Sequence, residues 1–336
     1  MNIFKKPLLL LVSSLFISQA SIAQEGLSVY SDYLTDNYYL IHPSMAGAAN
    51  CAKIRLSARQ QWTDNDKSPA LQTLSFNTKV GEQSGVGFIA FNDRNGYHSQ
   101  YGAKVTYAHH INFSRSYYDL NQLSFGISAG VNQTTLDESS FGPTFDPIIN
   151  GGVDQKDVSF IADFGASYHY LDFYAHATVK NAFTTKSDIY SDIESDNLRK
   201  YLVSAGYVFG TYSNTGYTWE PSMLFQYTEK TNEKQLDINM KMYKEFTNGQ
   251  FFAGISYRTA FDGAEYVKTD ETKKQYYHSV SPILGVKYKN MMLGYTYSHQ
   301  FGDVRYQKGG FHQLTLGFNF MCRNSSYKCS CPSVNF

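Results

Sequence analysis

The sequence predicts an all-β fold: a transmembrane outer-membrane β-barrel of about fourteen antiparallel strands, with short periplasmic turns and long outer loops. Three observations predict it. The chain opens with an export signal. Segments of roughly ten residues with period-two alternation recur from about residue 53 to residue 322. The connections between those segments alternate in length.

The N-terminus fixes the compartment. Lys5 and Lys6 form a positive region, Pro7 to Ile17 is an apolar run, and Ser21-Ile22-Ala23 places small residues where a signal peptidase reads. Residues 1–23 are therefore expected to be a signal peptide, cleaved to leave Gln24 first. The run is too short to anchor in about 30 Å of hydrocarbon. A lipoprotein would need a cysteine at the cut, and the first cysteine is Cys51. No later stretch of about 18 apolar residues exists, so no helical span is expected. The 28 Tyr and 24 Phe suit a β-rich chain, and the zero formal charge argues against a nucleic-acid binder.

The alternation places strands at about 53–62, 70–80, 84–91, 99–110, 121–133, 157–170, 172–182, 198–209, 217–228, 235–245, 250–260, 278–288, 291–300 and 310–322. Leu123, Phe125, Ile127, Ala129 and Val131 alternate with Ser124, Gly126, Ser128, Gly130 and Asn132; Leu314, Leu316, Phe318 and Phe320 alternate with Gln313, Thr315, Gly317 and Asn319. A soluble sandwich shares such alternation. Segment length favours a tilted membrane strand instead, as do the aromatics at segment ends: Trp62, Tyr107, Tyr168, Tyr207, Tyr288 and Tyr297. Even-numbered connections are mostly tight, as at Gly81–Gln83, Leu171, Phe246–Gly249 and Lys289-Asn290. The long polar ones are 134–156, 183–197 and 261–277. The fourth connection, near Ser114 to Asp119, is longer than this pattern prefers.

An even strand count returns both ends of the sheet to the periplasm, and lipid tolerates no open edge, so the first strand must pair with the last. Cys51 and Cys322 then share a rim. Disulfides persist in an exported chain. Cys51 is expected to reach a tail cysteine, Cys322 first and Cys329 or Cys331 next. The spacing and the lack of a tail histidine disfavour a zinc site.

No constellation marks catalysis, a cofactor or a metal. His109 and His110 point to opposite faces of a strand, and His169 and His176 flank a predicted turn. No phosphate-binding loop sits between a strand and a helix. The inward charges carry more information. Arg55, Arg59, Lys104, Asp163, Lys180, Asp237 and Lys241 would be costly in lipid, so they are expected to line a polar lumen, as pore charges or as a docking surface. Arg59 and Trp62 lie where the first strand meets the outer rim. A barrel of this size is wider than side chains alone can fill. Residues 24–50 are expected to be a periplasmic segment able to fold into the lumen as a plug, 51–322 the barrel, and 323–336 a cysteine-containing periplasmic tail.

Several segments bear a family resemblance. His42-Pro43-Ser44-Met45-Ala46-Gly47 and Arg59-Gln60-Gln61-Trp62 resemble the opening signatures of the PorP/SprF family, part of the type IX secretion and gliding apparatus of Bacteroidota. Glu220-Pro221-Ser222 with Leu224, Asp237-Ile238-Asn239, Gly254-Ile255-Ser256-Tyr257-Arg258, Gly294-Tyr295-Thr296-Tyr297, His312 and Cys331-Pro332 with Phe336 follow in order. His42 replaces the usual Asn, Gln313 stands where an acid is common, and two extra residues separate Cys331-Pro332 from the terminal Phe336. The resemblance implies a non-enzymatic outer-membrane barrel with type IX secretion components as partners. It also implies a large secreted, adhesin-like protein with a C-terminal signal domain, which the barrel helps to export or anchor. The alternatives are a solute-conducting porin or hydrophobic-compound channel, and an outer-membrane hydrolase.

Overall fold

The computed structural model describes residues 31–61, 68–114, 120–137, 155–183, 199–210, 216–261, 265–268, 271–274, 276–302 and 310–322. The signal-peptide segment, Trp62, most of the two longest loops, and the tail with Cys329 and Cys331 lie outside them.

Among the described residues there are sixteen strands, all but the twelfth and thirteenth following the period-two alternation: β1 (Ala52–Gln61), β2 (Ala70–Val80), β3 (Ser84–Asn95), β4 (His98–Asn112), β5 (Asn121–Leu136), β6 (Gln155–Tyr170), β7 (Phe173–Lys180), β8 (Lys200–Tyr207), β9 (Tyr217–Thr228), β10 (Lys234–Phe246), β11 (Gly249–Ala260), β12 (Glu265–Lys268), β13 (Glu271–Lys274), β14 (Tyr277–Tyr288), β15 (Met291–Gly302) and β16 (Phe311–Phe320). All but β12 and β13 form one closed antiparallel barrel of fourteen strands. Closure runs from Ala52 opposite Phe320 to Gln61 opposite Phe311. No sheet edge is left to face lipid. Among the described residues no helix is long and apolar enough to cross a membrane.

The two faces of the wall follow the alternation. Leu56, Val105, Phe125, Phe160, Ile238, Ile255, Leu284, Leu314 and Phe318 are exposed on the outside, while Arg55, Ser75, Ser128, Asp163, Ser204, Asp237 and Thr315 are buried inside. An apolar outer surface around a polar interior is the inverse of a soluble barrel and suits a lipid solvent. Two prolines sit where the ladder can spare a donor. Pro221 lies just beyond the last β8–β9 pair, Gly206 with Ser222. The β14–β15 pairing breaks between Val280 and Ile283, across Pro282.

β3 and β5 extend past their expected ends, and β7 and β8 are shorter. The connection after β11, read from sequence as a polar loop, carries the β12–β13 ribbon. Neither of its strands has the apolar alternation that would reveal it. Cys51 and Cys322 occupy one rim and are joined by a disulfide. The tight turns 171–172, 247–248 and 289–290 lie at that rim, which is therefore the periplasmic one.

The barrel is not hollow. Residues 31–49 are buried throughout and fold as three short 3-10 turns, Asp32–Thr35, Tyr38–Leu40 and Pro43–Met45. Asp36 (φ 59°) and Gly47 (φ 65°) adopt left-handed backbone, letting so short a segment reverse inside the wall. Tyr33, Leu34, Tyr38, Tyr39, Leu40, Ile41, Met45 and Ala46 form a hydrophobic core with the inward Ile89, Ala108, Leu202, Leu224, Phe252, Ile283 and Met292.

Candidate functional site

Side chains from around the barrel wall converge on this inner segment, and the contact falls into distinct stations. At the first, Asp36 Oδ1 receives Lys241 Nζ at 2.9 Å and Oδ2 receives Lys287 Nζ at 2.6 Å. Lys241 also pairs with Glu220 at 3.0 Å. Glu220, fully buried, accepts the hydroxyls of Tyr38 at 3.0 Å, Tyr243 at 2.5 Å and Tyr174. Two buried carboxylates and two buried ammoniums thus neutralise one another, with tyrosines satisfying the remaining lone pairs. Buried charge demands this arrangement.

At the second station Arg258 donates Nε and Nη2 to the two oxygens of Asp237, both at 2.5 Å, and Tyr33 donates to Asp237 at 2.7 Å. The fork geometry of guanidinium on carboxylate fixes the pair, and Tyr33 reads it from the segment. On the opposite side Lys104 pairs with Asp163 at 2.7 Å, and Lys180 donates to the Leu40 carbonyl at 2.8 Å. Tyr39 donates to Thr106 at 2.8 Å.

The His42–Gly47 hexapeptide makes the densest wall contact. His42 shares hydrogen bonds with Thr178 at 2.8 Å and Ser204 at 3.0 Å, and its ring stacks on His176 at 4.7 Å between centroids. His176 bonds Ser167, which bonds Ser44. His110 bridges Ser124 at 2.8 Å and the Ala46 carbonyl at 3.0 Å. The Gly47 amide donates to Asn77. Glycines make room for this approach: a Cβ at Gly85 would overlap the Ala46 carbonyl, and one at Gly126 would overlap Pro43. Ser31 and Asp32 both bond Gln313, at 2.6 and 3.2 Å.

Of the residues singled out from sequence, Arg55, Arg59, Lys104, Asp163, Lys180, Asp237 and Lys241 all face inward and are buried. They do not form one constriction. Lys104 and Asp163 pair with each other, Lys180 and Lys241 hold the inner segment, and Asp237 holds it through Tyr33. Arg55 packs over Gly317 and donates to the Ile54 carbonyl at 3.0 Å. Arg59 lines a small polar cavity near Ser31 with Arg258 and Gln313. Trp62 lies outside the described residues.

Asp36, Lys287, Tyr174 and Tyr243 carry no signal in the sequence, and Glu220 and Arg258 enter there only as family-motif residues with no assigned role. Strand parity could have found Glu220, which alternates with the inward Leu224 and Thr228, and Arg258, which alternates with Ser256. His169 and His176 flank the turn at Leu171, as the sequence suggests, yet both are buried in the wall. The His176–Ser167 pair has no acid partner among the described residues' hydrogen bonds, so it does not form a nucleophilic triad. No three His, Cys, Asp or Glu side chains among the described residues converge to hold a metal ion. What the arrangement does chemically is bind a peptide segment.

The profile of a family described as type IX secretion system membrane protein PorP/SprF matches residues 22–318. No curated protein matches the chain. Among solved structures, a CymD monoaromatic hydrocarbon channel is 10% identical with a TM-score of 0.46, over 84% of this chain and 91% of that one. The translocator domain of the autotransporter NalP from Neisseria meningitidis is 10% identical with a TM-score of 0.34, over 80% of this chain and 87% of that one.

Proposed function

The chain belongs to the PorP/SprF family of type IX secretion system membrane proteins, and from that premise we propose that it is a plugged, non-enzymatic outer-membrane barrel that helps export a large adhesin-like cargo or holds it at the cell surface. Family membership and the barrel place it in the bacterial outer membrane as part of a secretion system. The cargo, with its C-terminal signal domain, is the proposed partner.

The observation that carries this reading is the filled lumen. Residues 31–49 are buried and bonded to the wall all the way round, as expected of a scaffold that works through its surfaces rather than of a wide solute pore. Conduction by the solute-channel alternative would require that whole set of contacts to break. Most of the wall charges support the same reading: Lys180, Lys241, Lys287 and Asp237 bond the segment, and Lys104 and Asp163 pair with each other.

The test is affinity purification of the tagged barrel from detergent-solubilised envelope. The expected result is co-purification of a surface protein carrying a C-terminal signal domain, together with type IX components. Rapid liposome swelling with small sugars and no such companion would overturn the proposal in favour of a channel.

A further inference from the structure

Among the described residues, two of the grooves lie on the outer, lipid-facing surface. The larger, about 560 Å³, lies over Ala166 and Ala177 between Phe125, Ile127 and Val203. Its lining includes no lysine, arginine or carboxylate. The second, about 410 Å³, differs in chemistry. Its apolar walls include Met242, Phe251, Leu284, Leu293 and Leu314 around the small Ala253, and its one charged lining residue is Lys244.

We propose that this second groove is a binding site for one glycerophospholipid of the periplasmic leaflet, its phosphate at Lys244 and an acyl chain lying over Ala253. The register places the parts. Lys244 lies opposite Phe251, Phe251 opposite Val286 and Val286 opposite Leu293, one outward row in from Phe246, Tyr288 and Met291 at the periplasmic turns. The next row, Met242, Ala253, Leu284, Tyr295 and Leu314, leads toward the middle of the bilayer. Phe251, Leu284 and Leu293 stand out from the wall at 56%, 62% and 45% exposure. Ala253 between them is the floor, so the trough is one chain wide.

Lys244 shares the outward parity of Ile238, Met240 and Met242 on β10. An outward lysine is costly at the bilayer midplane and nearly free at the interface. Its position two residues before the end of β10 puts the ammonium at headgroup depth, 3.8 Å from the centroid of the Tyr217 ring. Lys289, in the adjoining turn, reaches over Tyr288 at 5.5 Å. The exposed carboxylate nearby, Glu245, has the inward parity of Tyr243. The outward rim here is thus cationic and ring-braced, above an apolar trough of the size that holds a small-molecule ligand. Charge complementarity selects a phosphate. The periplasmic depth selects a phospholipid over the outer leaflet's lipid A.

The test is native mass spectrometry of the full-length mature barrel, delipidated in detergent and titrated with dioleoyl phosphatidylglycerol, dioleoylglycerol and lipid A. The expected result is one saturable phosphatidylglycerol adduct, with dioleoylglycerol and lipid A at least about tenfold weaker. Lys244→Gln should lose about tenfold in phosphatidylglycerol affinity, and Ala253→Phe, which fills the trough, should lose the adduct. Equal binding to wild type and Lys244→Gln would overturn the site, as would equal binding of dioleoylglycerol, or lipid A displacing the phospholipid. Because Lys244→Gln changes an interfacial surface group, it remains a test if Ala253→Phe does not fold.

Discussion

Replacing Asp36 by Asn removes one negative charge and one acceptor oxygen from the centre of the barrel. Asn is close to isosteric, and Asn tolerates the left-handed backbone that Asp36 adopts at φ 59°. Any consequence therefore comes from the lost charge and from the amide donor that replaces one acceptor oxygen beside an ammonium. In the native arrangement Asp36 lies between Lys241 at 2.9 Å and Lys287 at 2.6 Å, with the carboxylate about 1% exposed. Without it, Lys241 keeps its contact with Glu220, and Lys287 loses the carboxylate it now meets at 2.6 Å. Removing one member of a buried pair costs about 3–5 kcal/mol.

That cost falls on seating the inner segment rather than on the barrel, because the ladder that closes the wall involves none of these side chains. At about 1.4 kcal/mol per tenfold change, the equilibrium between seated and released segment shifts by roughly a hundredfold to a few thousandfold. Two assays read it. In planar bilayers the wild type should show no sustained conductance, and Asp36→Asn should show long-lived openings. Hydrogen exchange of amides 31–49 should accelerate by the same factor, while amides of β4 and β5 do not change. Glu245→Gln, an exposed rim carboxylate, is the control and should behave as wild type. If Asp36→Asn is as silent and as protected as the wild type, the ion cluster does not hold the segment and the electrostatic reasoning is wrong.

Three other outcomes follow from the same contacts. His110→Ala strands the Ala46 carbonyl, now bonded at 3.0 Å, and should loosen residues 44–49 by about 1–3 kcal/mol; local hydrogen exchange checks it, and uniform loosening of the whole segment would contradict the assignment. Gly126→Leu forces a side chain into the space of Pro43, so it should displace the hexapeptide and open the barrel while leaving its heat-modifiable gel mobility intact. Cys51→Ser with Cys322→Ser removes the link across the β1–β16 seam, and non-reducing mass mapping should find the native pair joined; the double variant should unfold at lower temperature by up to about 5 kcal/mol of stabilisation in the chain-entropy limit, and unchanged unfolding would show that the backbone ladder alone secures the seam.

How much of this was legible depends on the range of the interaction. The wall is written in a local period: Leu123 to Asn132 declares its two faces within ten residues. The even strand count then carries Cys51 and Cys322 to one rim without any long-range information. The inner segment has no comparable signal. Its 3-10 turns span three or four residues each, too few for a period to show, and its partners lie far along the chain, as with Tyr38 and Glu220 or Ser31 and Gln313. Sequence could say that a segment before the first strand was able to enter the lumen. It could not say that Asp36 would meet Lys241, because nothing local distinguishes Asp36 from the Asp32 four residues earlier.

Two of the departures from the signatures that the sequence resembles acquire a physical sense once the contacts are in place. Gln313, where an acid is common, donates an amide proton to Asp32 Oδ1 and accepts from Ser31. A carboxylate there would face Asp32 across a hydrogen-bond distance, and two like charges in one buried site cannot both ionise at small cost. His42, in place of the usual Asn, spans Thr178 and Ser204 and lays its ring on His176. A flat ring with two polar atoms can bridge two strands and stack at once, and an Asn side chain is too short to do all three. Both substitutions sit at the junction between inner segment and wall, each with a complementary partner on the other side. The wall and the segment therefore form one packed unit, and of the two readings the sequence allows for the inward charges, pore lining or docking surface, the contacts of Lys180, Lys241 and Asp237 fit the docking surface.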